Sequence, residues 1–204
     1  MRTQVRWGVA VVALAGLLGL AAGSGATLAG WSLSVPRVVG SITAGSLKLE
    51  PSPSGWTWHN TSPDLPAEIL IADPSAWHAT PGDLLLGSWQ VDATSVGDNV
   101  AGLVSIAPND SPATTWPAGV SVTWRVGQTT THTAAQVLDP AATGFASAPL
   151  AYPDGSASVR TAQAGTQPVV VYLVVQYAGD SVIPDSAPAL SDYRFTVDFS
   201  QERP

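Results

Sequence analysis

Apolar and polar residues alternate along most of the 204-residue chain, and the dominant period is two. In "GSITAGSLKLE" (Gly40–Glu50), Leu47 and Leu49 fall on one side and Lys48 and Glu50 on the other. That is the pattern of a half-buried strand, read as the first strand of the domain. Pro51 and Pro53 stop it, because proline cannot donate to a sheet ladder. A short apolar run follows at Glu68–Asp73. From Leu84, "LLLGSWQVDAT" puts Leu86, Ser88, Gln90 and Asp92 on one face and Trp89, Val91 and Ala93 on the other, the better core face. "GDN" (Gly97–Asn99) reads as a turn into the strand Val100–Ala107, which predicts an antiparallel hairpin.

Farther on, Val120, Val122, Trp124 and Val126 alternate cleanly, and so do Tyr193, Phe195, Val197 and Phe199. "PVVVYLVVQYA" (Pro168–Ala178) is apolar on both faces, as a central strand should be. Residues 129–165 are polar and weakly patterned, which predicts long loops with one or two edge strands. No stretch after residue 30 sustains a helical period. Several short strands between Gly, Pro, Asn and Asp clusters predict one all-β domain, an antiparallel β-sandwich of jelly-roll type, over residues 30–204.

The N-terminus breaks this pattern. Arg2 and Arg6 precede an uninterrupted apolar run, Val9–Ala22, and then small residues. This is the three-part order of a secretory signal peptide, a helix within residues 1–29. The apolar run would reach about 21 Å as a helix, short of the roughly 30 Å of a bilayer's hydrocarbon core. The small-residue rule places cleavage after Ala26 or Ala29, so that the mature chain starts near Gly30. The expected location is secreted or cell-surface, with transient membrane contact through the signal peptide and a signal peptidase as partner.

Composition narrows the chemistry. There are 8 Lys and Arg against 15 Asp and Glu, a net charge of −7. No basic cluster is available to neutralise phosphates, so nucleic acid is not an expected partner. The chain has no cysteine, which excludes disulfides, thiolate metal sites and thiol catalysis. His59, His78 and His132 are isolated in sequence and no H-E-x-x-H is present, so no metal site is expected. Asp73, Asp83, Asp98, Asn99, Asn109 and Asp110 lie near turns, but in no calcium-loop spacing. No G-x-S-x-G elbow offers a nucleophile. The expectation is a protein without catalytic residues and without a cofactor.

"ATLAGWSLS…VVGSITAGSLKLE" resembles the start of actinobacterial proteins exported with the alternate, SipW-dependent type of signal peptide, a group related to TasA and camelysin. The matching positions are Ala26-Thr27-Leu28-Ala29, Trp31-Ser32 and Gly40–Leu49, followed by Trp56–Trp58, Pro81-Gly82-Asp83 and Gly97-Asp98-Asn99. The similarity covers roughly the first half of the chain. Where the family has an acidic residue after the Trp-Ser pair, this chain has Leu33-Ser34. The resemblance implies an exported surface or biofilm-matrix protein with a jelly-roll sandwich, in some relatives fibre-forming. Camelysin's description as a metallopeptidase implies a less favoured third reading.

Two contact sites emerge. Trp31, Pro36, Val38, Val39 and Ile42 belong to an apolar arm without charge before Arg37. Such an arm either folds back on its own domain as its first strand or adds to a neighbour's open sheet edge, giving self-association or contact with other surface proteins. Trp56 and Trp58 are two apart and share a face if extended, as core or rim residues or as a platform for sugar or protein. The expected function is therefore that of an exported non-catalytic cell-surface or extracellular-matrix protein. The alternative is a secreted carbohydrate- or protein-binding module.

Overall fold

The computed structural model describes residues 32–35, 41–42, 46–97, 101–109, 119–129, 131–161, 164–178, 190 and 193–202. For 32–35 and 41–42 the description is of the backbone. The apolar run Val9–Ala22, the cleavage positions Ala26, Ala29 and Gly30, and Trp31, Pro36, Val38 and Val39 lie outside the described residues.

The domain is all-β, and every strand pairing is antiparallel. The strands are β1 (Ser32–Val35), β2 (Ser41–Ile42), β3 (Ser46–Pro51), β4 (Thr57–Asn60), β5 (Ile69–Ile71) and β6 (Leu84–Val96). They continue with β7 (Ala101–Pro108), β8 (Val120–Gly127), β9 (Leu150–Ala151), β10 (Ala157–Arg160), β11 (Gly165–Tyr177) and β12 (Phe195–Glu202). Among the described residues one short α-helix, α1 (Ala134–Leu138), interrupts them. The smaller sheet has the order β1-β12-β7-β10. The larger runs β2-β3-β6-β11-β8-β9, with β4 also on β6 and β5 on β4.

The two sheets enclose one core. Leu49, Val91, Leu173 and Trp124 face it from the larger sheet, and Val104, Ile106, Val197 and Phe199 from the smaller. Period-two patterning produces this directly, since successive side chains point to opposite faces. Leu47 and Leu49 are buried while Glu50 is exposed. Along β6, Val91 and Ala93 are buried as expected. β11 is central, paired with β6 on one side and β8 on the other. Its inward residues join the main core, and Val170, Tyr172 and Val174 are buried on the outer face beneath Val137 of α1.

Three expectations are corrected. Gly40–Glu50 is not one strand: Ser41 and Ile42 of β2 pair back on Lys48 and Leu47 of β3. β6 and β7 do not form a hairpin. β6 lies in the larger sheet and β7 in the smaller, between β12 and β10, so the chain changes sheet between Gly97 and Ala101. Residues 129–165 hold α1 as well as the two edge strands β9 and β10. Thr133 caps that helix reciprocally with Gln136, which supplies donors and acceptors where the backbone lacks them.

Candidate functional site

The site arises where the larger sheet is notched. β3 and β4 both pair with the same side of β6, β3 through Pro51 opposite Val91 and β4 through Thr57 opposite Ser88. The loop between them has no place in the ladder. It leaves β3 by a Ser52 N–H to Gln90 carbonyl bond of 2.9 Å and closes with Gly55 N–H on the Ser52 carbonyl at 3.1 Å. Gly55 takes φ +64° there, a left-handed conformation that glycine adopts without penalty. The loop delivers Trp56 over Trp89, with ring centroids 6.2 Å apart and planes at 29°.

Trp56 is braced from behind. Its ring lies 5.5 Å from Trp58 and 5.9 Å from Phe195. Trp58 is 1% exposed. It lies flat across Gly87, its partner on β6, where an added Cβ would meet the indole at 2.7 Å. Trp56 and Trp89 stay partly exposed. They wall a cavity of about 470 Å³ whose floor is Leu49, Val91 and Val197. Ser52, Asn109 and Arg194 stand at its rim, and Arg194 is the one charged lining residue among the described residues. The Asn109 N–H donates to the Arg194 carbonyl at 2.9 Å, joining the end of β7 to the start of β12. The cavity's lining mixes apolar side chains with polar ones, and a concave site of that make-up suits small-molecule recognition.

The structure thus divides the predicted aromatic pair. Trp58 belongs to the core, and Trp56 faces the cavity. Trp89 completes the platform, though its sequence pattern marks it only as a core residue. Arg194, Ser52 and Asn109 come together from strands distant in sequence, and no local signal announces them. Ile42 pairs within β2–β3, and β1 lies against β12 with Leu33 opposite Phe199 and Val35 opposite Val197. The two described pieces of the arm, Ser32–Val35 and Ser41–Ile42, thus pair within the domain.

The histidines occupy different places. His59, on β4, stands 3.9 Å from Glu68. His78 is exposed in the loop before β6. His132 stacks on Phe145 at 4.1 Å. Among the described residues, no three His, Asp or Glu side chains come together as metal ligands would. Asp83 is buried, accepting the Thr80 N–H at 2.8 Å and facing Asn60 and Ser62 at 3.5 and 3.4 Å. Burial, with Asp83 nearby, pushes the Tyr177 hydroxyl above its ordinary pKa. Asp73 is held below the usual carboxylate range by the Ser75 hydroxyl and N–H.

No family model, curated protein or solved structure matches this chain.

Proposed function

We propose that the protein is an exported, non-catalytic component of the cell surface or extracellular matrix that works by contact. The observation that carries this reading is β1. It follows the signal-like N-terminus closely in sequence and ends the smaller sheet, pairing with β12 on one side. An end strand leaves a row of backbone donors and acceptors for another chain. In this reading residues 1–29 are a signal peptide of the alternate type, removed after Ala26 or Ala29. The sandwich is of jelly-roll type, which is supported by the chain changing sheet at every step from β6 to β12 except β8 to β9. N-terminal sequencing of the protein from culture medium and from membranes tests export. A start at Thr27 or Gly30 in the medium is expected, and an intact Met1 held in the membrane fraction overturns it.

A second reading has its own observation. The cavity framed by Trp56 and Trp89 favours a carbohydrate- or protein-binding module. The two readings are compatible, since a matrix protein needs something to hold.

A further inference from the structure

We propose that the cleft binds a sugar ring carrying a carboxylate, as in a uronate-containing polysaccharide. The proposal rests on the binding-module reading and names its ligand.

Three features of the cleft select this chemistry. The first is the platform. Trp56 and Trp89 line the cleft partly exposed and stack on each other, and the indole surface left open packs well against the apolar C–H face of a pyranose. Trp58 and Phe195 hold Trp56 from behind. The platform is therefore set before the ligand arrives, and little side-chain freedom is lost on binding.

The second is the rim. Ser52 and Asn109, with Tyr193 and Arg194, set polar groups among the apolar lining, and the Ser52 hydroxyl is held by that of Ser54 at 2.7 Å. A hydrocarbon chain has no use for them. A sugar does, because each ring hydroxyl leaving water needs a partner.

The third is charge. Arg194 is exposed and makes no ion pair among the described residues. It is the one charged residue of the described lining, on a chain of net charge −7. A guanidinium fork matches a carboxylate in bidentate geometry. A single fork suits a monoanion; a phosphate dianion would call for a second cation, and none lines the cleft among the described residues.

The test titrates the full chain with a galacturonate trimer and with the neutral galactose trimer, reading tryptophan fluorescence and calorimetric heat. The uronate trimer is expected to saturate and to bind at least about 10-fold more tightly than the neutral one, the scale of one charge-assisted contact. Arg194→Gln, an exposed change, should erase that difference. Trp89→Ala should weaken both sugars, with thermal melts confirming that each variant is folded. Equal binding of the two trimers by the unaltered chain overturns the carboxylate preference and leaves the binding-module reading standing. Binding of neither trimer overturns the proposal. The cleft's standing is then settled by an anilinonaphthalene sulfonate probe: binding that Trp89→Ala abolishes keeps the module reading, and its absence removes that too.

Discussion

Arg125 is buried, at 2% exposure, without a carboxylate in ion-pair contact among the described residues. Carbonyl dipoles meet its charge instead. Nε donates to the Ser147 carbonyl at 2.9 Å, and Nη1 to those of Gln136 and Asp139 at 3.1 and 2.8 Å. The guanidinium carbon sits 3.8 Å over the Phe145 ring. Burial draws the guanidinium below its ordinary pKa, and Asp139 offsets part of that; the group still stays charged at neutral pH. One planar fork thus ties α1 and the loop after it to β8, and an ammonium has no equivalent geometry. Arg125→Lys should lower stability by about 2–3 kcal/mol in urea unfolding. Arg160→Lys, whose parent side chain is 78% exposed beside Glu202, should stay within about 0.5 kcal/mol. Equal effects would mean that the carbonyl contacts contribute little. The sequence pattern assigns Arg125 to the solvent face of its strand, with Ser121 and Thr123. It is buried because a distant loop folds over that face, which strand periodicity does not encode.

At the scale of elements, β1 is the exposed joint. It gives β12 a partner from Ser32–Ser200 to Val35–Val197. A chain beginning at Gly40 lacks it, which leaves that side of β12 unpaired, and unpaired edges recruit strands. Sedimentation velocity should show this shortened chain associating as concentration rises. Adding a peptide of residues 30–37 should return it to monomer. A shortened chain that stays monomeric at high concentration would mean that the β12 edge does not drive association. The inward positions of β3, β6, β8 and β12 could be read from alternation, because burial of one face imposes it, whereas β11, apolar on both faces, shows only that it is central. The β6–β7 hairpin could not be judged that way. A Gly-Asp-Asn turn is equally good chemistry for a hairpin and for a crossing to the opposite sheet, and only the partners of each strand decide. α1 is too short for a helical period to emerge in five residues. Its signal was the Thr133-x-x-Gln136 capping box with Pro140 beyond it. The cleft was half visible: Trp56 stood out, but its rim is assembled from loops and strand ends that meet only in the folded sandwich.

The molecule as a whole is stabilised by packing, with no cysteine for a disulfide, and of its buried phenols two lie on the central strand β11. Tyr172 is 1% exposed and Tyr177 6%. Burial raises the pKa of each, and Asp83 raises that of Tyr177 further. In the unfolded chain both ionise near pH 10. Above that pH the unfolded state binds fewer protons than the folded state, so stability declines as pH rises. The stabilising contribution is full below the unfolded pKa and is lost as pH climbs through the folded values. Each phenol held neutral costs up to about 1.4 kcal/mol per pH unit in that window. The net charge of −7 works in the same direction, since self-repulsion grows as phenolates add to it. Urea midpoints should therefore hold steady from pH 7 to about 9 and fall steeply above about 10. Tyr172→Phe should make the alkaline slope shallower by about one phenol's share while removing the hydroxyl that donates to the Thr129 carbonyl. Absorbance near 295 nm supplies the independent reading, as phenolate forms in the folded protein only after unfolding begins. If both tyrosines titrate reversibly near pH 10 with the fold intact, their burial does not govern the alkaline limit.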